Sequence, residues 1–133
     1  MRYNIGSKPI VITSFEDNKV TLSNNQILTK SFILSDEGLT INLKIETNIE
    51  DFLADTNNYQ FLESFKGKKE IFILGCGKEF IIPFFGIKSY INSLGFKLEW
   101  MPTKSAYHTF NLLLEDYRSC FGLFINEIDK IKN

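Results

Sequence analysis

The sequence predicts an α/β fold of three layers, in which a mixed central β-sheet carries helices and the amino-terminal third adds an antiparallel β meander. Three observations lead to this prediction. The run Glu70–Gly77, EIFILGCG, is apolar without alternation, as is typical of a strand covered on both faces. Short strand patterns separated by turn residues precede this run, and alternating helix and strand patterns follow it. We therefore place Glu70–Gly77 at the centre of the sheet.

The composition favours one soluble globular domain over the whole chain, residues 1–133. Apolar residues make up 44% of the sequence and include 13 phenylalanines, which is enough for a core without disulfides or metals. The net charge is −1, and the nearest approach to a basic block is Lys66, Lys68 and Lys69, which we expect to form a solvated turn. Nucleic-acid binders carry a basic footprint, so we expect no nucleic-acid partner.

Segments that would direct the chain to another compartment are not evident. The amino terminus has neither the apolar stretch of a signal peptide nor an Arg-rich transit pattern. The longest apolar run, Phe80–Ile87, is far shorter than the roughly 20 residues of a membrane span. Cys76 and Cys120 lie far apart in apolar surroundings, which favours reduced thiols. We therefore expect a cytoplasmic protein without a membrane span.

The first third of the chain, about residues 9–45, is predicted to be a meander of short strands. Strand patterns cover Pro9–Phe15, Val20–Leu22, Ile27–Leu34 and Leu39–Ile45, and Asp, Asn and Gly between them favour turns. The last of these patterns alternates strictly between apolar and polar residues. It therefore predicts a half-buried antiparallel strand with all of its odd-numbered residues, each Leu or Ile, on the buried face.

The α/β part, about residues 48–125, is predicted to open with two short helices. Asn48 is a plausible cap of the first helix, and a second helix over Asn58–Lys66 ends at Gly67. The residues between them favour a break, although one continuous helix is the alternative. The polar tail, residues 126–133, is expected to fray or to form a short helix.

From the central strand onward the pattern is β-α-β-α-β. Pro83 suits the first turn of a helix that Gly95 ends, and Phe96–Met101 is the next strand. Another helix follows, and Ser119–Ile125 is the last strand. Crossovers of this length favour parallel neighbours, whereas the short link before the last strand leaves that strand either parallel or antiparallel.

The carboxyl ends of the strands predict a crevice. In open α/β sheets ligands bind at this edge, and the helix amino termini that follow the strands attract anions. The crevice would be an open polar cavity if it binds a ligand, or it would be filled by Phe84, Phe85 and Trp100. The alternative is that its glycines only allow a tight turn and close packing. The candidate ligand residues are Gly75, Cys76, Gly77, Met101, Thr103 and Ser105.

No catalytic set is evident in the sequence. Cys76 is the one candidate nucleophile, because a glycine-rich loop near helix amino termini can lower a thiol pKa, and the alternative is a small packing residue. The single histidine, His108, is expected to face solvent, and one His with two distant Cys does not make a metal-ligand set. The chain lacks a dinucleotide-binding fingerprint, because Phe80 occupies the position of the third glycine. We expect no catalytic residues, no cofactor and no metal.

The second half of the chain resembles a known family. The stretch SLGFKLEWMPTKSAYHTFNLLLEDYR is similar to the Mth-type domain family, which includes the mitochondrial respiratory complex I assembly factor three. From Gly77 to Arg118 the spacing of the matching residues fits without a gap, and the first half of the chain matches more loosely. In total the resemblance covers about Ser14 to Ile125. The features that match are Gly75, Gly77, Pro83, Gly95, Glu99, Met101, Thr103, Ala106, Thr109-Phe110-Asn111, Leu113 and Arg118, with Phe15, Val20 and Ser31–Leu34 in the first half.

The resemblance implies a three-layer α/β fold, no established catalytic residues or cofactor, and a role in protein assembly for the mitochondrial member. Two residues depart from the family pattern. Cys76 stands where the family more often has Thr, and Tyr117 stands where it usually has Gly. A bulky residue at positive φ is costly, so the turn at Tyr117 is predicted to differ, or Asp116 to take the strain.

Three functional hypotheses follow. The first is a non-enzymatic binding or assembly module that acts through protein contacts, with a respiratory complex subunit as the partner that the resemblance implies. The second is a small anion-binding or metabolite-binding protein, or an enzyme, that uses the crevice. The third is a structural homo-oligomer. For the first hypothesis, the candidate partner surface is His108, Asn111, Tyr117 and Arg118.

Overall fold

The computed structural model describes residues 9–127, and its amino-terminal part is a small antiparallel sheet. The strands follow the order β1 (Ile12–Glu16), β2 (Lys19–Leu22) and β3 (Ile27–Leu28). Asp17 and Asn18 join β1 to β2 with φ angles of 52° and 65°. A type I′ hairpin needs positive φ at both central residues, and Asp and Asn tolerate it better than most residues. This hairpin confirms the turn predicted from the sequence.

A five-stranded mixed sheet forms the centre of the molecule. Its strands are β4 (Phe32–Ser35), β5 (Thr40–Asn42), β6 (Ile71–Gly75), β7 (Lys97–Met101) and β8 (Cys120–Phe124). In the order β5-β4-β8-β6-β7, β6 is parallel to both neighbours and β8 is antiparallel to β4. The direction of the last strand is thereby fixed as parallel to β6. As predicted, β6 is interior and buried along its length, although β8 holds the middle position.

Four helices pack on this sheet. They are α1 (Ile49–Ala54), α2 (Leu62–Phe65), α3 (Phe85–Ser93) and α4 (Thr103–Glu115). Asn48 caps α1 as predicted, because its side-chain oxygen accepts a hydrogen bond from Asp51 N at 2.8 Å. The predicted helix over residues 58–66 is interrupted, since a 3₁₀ turn over Thr56–Tyr59 precedes α2. Pro83 does not lie in the first turn of α3, which begins two residues later.

Each face of the five-stranded sheet has its own core. Alternate side chains of β6 point to opposite faces, so Phe72 and Leu74 pack with α1, α2 and α3. Ile71 and Ile73 pack instead with α4 and the three-stranded sheet. Because its side chains lie in both cores, β6 joins the layers. Burial of each such side chain contributes roughly 1.5–3 kcal/mol of stability. The predicted three-layer α/β fold is confirmed.

Two of the predicted strands were wrong in extent. The single strand predicted over Ile27–Leu34 is divided into β3 and β4, which belong to different sheets. The strand predicted over residues 39–45 is only the three-residue β5, and Leu39 and Ile41 are exposed rather than buried. Because β5 is the outermost strand on its side, its side chains have a neighbouring strand on one flank only. Alternation of apolar and polar residues does not indicate whether a strand lies at the edge of a sheet.

Lys69 was also misassigned to a solvated turn. Its side chain is 7% exposed, and its Nζ lies 2.5 Å from Oδ1 of the fully buried Asp36. The other carboxylate oxygen of Asp36 accepts a hydrogen bond from Cys120 N at 3.2 Å. This buried ion pair ties the turn after β4 to the starts of β6 and β8. Its partners are 33 residues apart, so sequence spacing gave no signal for it.

Candidate functional site

The carboxyl ends of the parallel strands converge on Thr103, the first residue of α4. The hydroxyl of Thr103 accepts a hydrogen bond from Gly77 N at 2.8 Å and donates one to Ile125 O at 2.7 Å. Its backbone N–H donates to Gly77 O at 2.9 Å. The hydroxyl therefore ties the end of β6 and the end of β8 to the start of the helix.

Two glycines allow this close approach. A Cβ at Gly75 would lie 2.9 Å from Thr103 Cα, so a side chain there would force β6 and α4 apart. Gly77 has φ of +112°, and a Cβ there would lie 2.8 Å from Oε1 of Glu127. Gly75 thus has a packing role and Gly77 supplies the positive φ of a tight turn, which is what the structural alternative for the sequence motif describes.

A cavity of about 710 Å³ lies beside Gly77 and Thr103. Its other walls come from the β1–β2 hairpin, the start of α4 and the residues after β8. Its charged lining residues are of both signs, with three lysines and three acids: Lys19, Lys78, Lys104, Glu16, Asp17 and Glu127. The hairpin could not be identified as a wall of the cavity from the sequence, because nothing local to residues 15–20 indicates that they pack near residue 103.

The remaining predicted crevice residues lie away from this cavity. Cys76 is fully buried on the α3 side of the sheet, where its Sγ accepts a hydrogen bond from Ile81 N at 3.4 Å. Burial raises the pKa of the Cys76 thiol, which favours the alternative of a small packing residue over a reactive thiol. Met101 packs on the α4 side and accepts a bond from the Thr109 hydroxyl at 3.3 Å. Ser105 is exposed.

The aromatic residues considered as fillers of the crevice do not line the cavity. The indole Nε1 of Trp100 donates a hydrogen bond to Ile81 O at 2.7 Å, and its ring packs on the core under the helices. Phe85 is 85% exposed and Phe84 is 37% exposed, on the surface outside the cavity.

Residues 80–85, here called the apolar loop, form the second half of the connection from β6 to α3 together with the first residue of that helix, and they present a cluster of exposed apolar side chains. Phe80 is 55% exposed, Ile82 is 75% exposed and Phe84 is 37% exposed, in addition to Phe85. Ile81 alone of the large side chains in the loop packs against the core. In the sequence this run is too short for a membrane span, and nothing in it indicates an exposed surface, because apolar runs are usually buried.

The four residues of the predicted partner surface have individual structural roles. His108 is exposed, and its ring meets Phe15 edge-on with centroids 5.4 Å apart. The Asn111 amide accepts from Ile12 N at 3.0 Å and donates to Ile12 O at 2.8 Å, which holds β1 against α4. Arg118 Nη2 lies 3.1 Å from Glu70 Oε2 in an exposed ion pair.

Tyr117, the fourth of these residues, occupies the turn that ends α4. Its φ is +57°, while Asp116 stays near the helical region with φ of −89°. Tyr117 N donates to Leu114 O and Arg118 N donates to Leu113 O, which is the Schellman pattern. The expectation of an altered turn, or of strain at Asp116, was wrong: the hydrogen bonds hold the tyrosine itself in the left-handed region.

Among residues 9–127, no group of three or more His, Cys, Asp and Glu side chains is arranged to hold a metal ion. None of the helices in that range combines the length and apolar character needed to cross a bilayer.

Comparison with known proteins identifies the domain type. A family model described as "Protein of unknown function (DUF498/DUF598)" matches residues 12–125. A search of curated proteins finds no significant match. The chain is similar to a crystal structure of a Bordetella parapertussis protein, with a TM-score of 0.76 and 16% identity over 92% of this chain and 99% of that chain.

Two solution structures are similar as well. One is a Xanthomonas campestris protein, with a TM-score of 0.74 and 16% identity over 100% of this chain and 96% of that chain. The other is a Mth938-like domain from Bordetella pertussis, with a TM-score of 0.71 and 14% identity over 97% and 96%. Identities this low show the fold alone. The Mth-type domain predicted from the sequence is confirmed, and the relation to the complex I assembly factor stays a prediction.

Proposed function

The chain belongs to the DUF498/DUF598 family of proteins of unknown function, and we propose that this member is a non-enzymatic protein-binding module. The observation that carries the proposal is the apolar loop, in which four large apolar side chains within six residues are exposed. Exposed apolar patches mark interaction surfaces, and aromatic residues dominate the binding energy of such surfaces.

The construction of the loop supports this role. Ile81 fixes its middle, because its N–H donates to Cys76 Sγ and its C=O accepts from Trp100 Nε1. The residues on either side of Ile81 are then turned outward. A loop held in this way loses little conformational entropy when a partner binds, so more of the apolar contact energy becomes affinity.

The partner that fits this surface is a protein with an apolar groove of its own. The resemblance of residues 70–125 to the complex I assembly factor supports an assembly role, with a respiratory complex subunit as the partner class. The predicted surface at His108, Asn111, Tyr117 and Arg118 contributes less to the proposal, because Asn111 and Arg118 are engaged within the chain.

Affinity capture with matched variants tests the proposal. The variant Phe80→Ser/Ile82→Ser/Phe85→Ser removes the apolar surface. Leu112→Ser is the control, because Leu112 is 62% exposed on α4, outside the loop. We expect the same protein to be recovered with the wild type and the control, and at least about tenfold less of it with the loop variant, since loss of anchors typically exceeds 1.4 kcal/mol. Equal recovery with all three, or binding of the loop to protein-free lipid vesicles, would contradict it.

The cavity beside Thr103 supports a second candidate, a binding site for a small anionic metabolite. Its volume of about 710 Å³ is within the range of ligand pockets, and Lys19 and Lys104 line it. A thermal-shift screen of phosphate and carboxylate compounds tests this, with Lys19→Ala/Lys104→Ala as the control. A ligand at about 100 times its Kd adds roughly 2.7 kcal/mol of stability. No stabilisation by any compound would eliminate this candidate.

A further inference from the structure

Among the residues that the structure describes, β7 pairs with another strand on one flank only. β7 is the last strand of the five-stranded sheet, and this flank pairs with β6. Lys97 N donates to Glu70 O at 3.0 Å and Met101 O accepts from Cys76 N at 2.8 Å, so the backbone groups of the odd-numbered residues face β6. Because the backbone groups of successive residues point to opposite flanks of a strand, the N–H and C=O groups of Leu98 and Trp100 point away from β6. Within residues 9–127 no strand pairs with that side.

Other edges of the two sheets are short or covered. β3 has two residues and β5 has three. The edge of β1 is covered at Ile12, where the Asn111 amide satisfies both backbone groups. β7 therefore offers five residues for pairing, and an unpaired strand edge is a ready template for a strand of another chain.

The sequence of this edge is self-complementary. From Phe96 to Trp100 it reads aromatic, basic, Leu, acidic, aromatic. If two copies meet antiparallel with a two-fold axis at Leu98, Lys97 of each copy lies opposite Glu99 of the other, and Phe96 lies opposite Trp100. A register shifted to an axis at Glu99 would instead place the two Glu99 carboxylates opposite each other, which is unfavourable.

We propose that this protein forms a two-fold symmetric homodimer in which β7 pairs with β7 of a second copy and joins the two sheets into one of ten strands. The Leu98 residues exchange both backbone hydrogen bonds, and Phe96 and Trp100 exchange the next pairs. The pairing of Lys97 with Glu99 selects a second copy over an unrelated strand. An edge pairing buries a small area, so the dimer forms in a concentration-dependent way. The dimer does not depend on the proposed function of the apolar loop.

Charge reversal tests both the dimer and its register by sedimentation velocity from about 5 to 500 µM, a range suited to a small interface. Lys97→Glu and Glu99→Lys each place like charges opposite one another twice, so each should weaken dimerisation about tenfold. The double variant Lys97→Glu/Glu99→Lys should restore it. An equimolar mixture of the two single variants should form heterodimers, because each acidic pair then meets a basic pair.

Circular dichroism shows whether each variant is folded, and the wild type alone tests the proposal if a variant is not. A wild type that stays monomeric over the whole range would overturn the proposal. So would single reversals that leave dimerisation unchanged, since a change in Lys97 has no effect in the register centred on Glu99. The Phe80→Ser/Ile82→Ser/Phe85→Ser variant should still dimerise, which separates this result from the test of the protein-binding function.

Discussion

At the scale of single residues, Tyr117 shows how hydrogen bonds hold a side chain in an unfavourable backbone conformation. Its left-handed φ is fixed by the two bonds that close α4, in a position where glycine is preferred. The tyrosine side chain is 67% exposed, so its burial contributes little to the stability of the core. The cost is therefore mainly conformational, about 1 kcal/mol relative to glycine.

Replacement of Tyr117 by glycine should therefore stabilise the protein by about 1 kcal/mol, because the strain at positive φ is relieved. Tyr117→Ala is the control, since it removes the same side chain but keeps a Cβ. Urea denaturation measures both. A Tyr117→Gly protein no more stable than Tyr117→Ala would show that the turn is not strained.

Two buried tyrosines give the stability a dependence on alkaline pH. Burial raises the pKa of Tyr59 and of Tyr107 above the usual value of about 10. The Tyr59 hydroxyl also donates to Leu53 O at 2.7 Å and needs its proton to do so. Because the folded pKa lies above the unfolded one, the stability from the neutral phenols is complete below about pH 10. It is lost as the pH rises further.

The free energy of unfolding should therefore fall above pH 10 by up to about 1.4 kcal/mol per pH unit for each tyrosine. Urea denaturation at several pH values from 8 to 11 measures this slope. The Tyr59→Phe/Tyr107→Phe variant should be less stable at pH 8 but should have a flatter slope. If the slope is the same in the variant and the wild type, other groups cause the alkaline loss.

At the scale of elements, the Asp36–Lys69 pair connects segments that the chain order keeps apart. The pair lies where the β4–β5 turn meets the start of β6, and Asp36 also binds the first backbone N–H of β8. Two charges buried together cost desolvation energy, so the pair is weak evidence for net stabilisation. Removal of one partner is nevertheless expensive, because the other stays buried as a charge.

Lys69→Met should destabilise the protein by about 3 kcal/mol, since it leaves the Asp36 carboxylate buried without its nearest cation. Lys68→Met is the matched control, because Lys68 is exposed and its loss should change stability by less than about 0.5 kcal/mol. Urea denaturation compares the two variants. Equal stability of Lys69→Met and Lys68→Met would mean that the ion pair has no stabilising role.

At the scale of the whole molecule, the parts that the sequence predicted are those encoded locally. Helix caps, the apolar run of β6 and the β-α-β-α-β order depend on residues within a few positions of one another, and Asn48 and β6 lie as expected. Long-range pairings have no such signal. The Asp36–Lys69 pair and the hairpin wall of the cavity at residues 15–20 therefore emerge only in three dimensions.

The candidate sites also differ in how much of each is encoded locally. The ligand crevice stays a prediction; of its six candidate residues, Gly77 and Thr103 line the cavity where the parallel strands end together. Cys76 could not be placed from its spacing, since Gly75 and Gly77 fix the backbone while the side chain turns into the opposite core. The exposed apolar loop contradicts the general rule that apolar runs are buried, and such local conflicts are common at functional sites.

We propose that the apolar loop docks a protein partner, and the sharpest test is site-specific photo-crosslinking in cells. A photoreactive phenylalanine analogue is placed at Ile82, and in a second protein at Leu112, which is similarly exposed on α4. We expect one discrete crosslinked protein from position 82 and none of that species from position 112. The same product from both positions, or none from position 82, would contradict it.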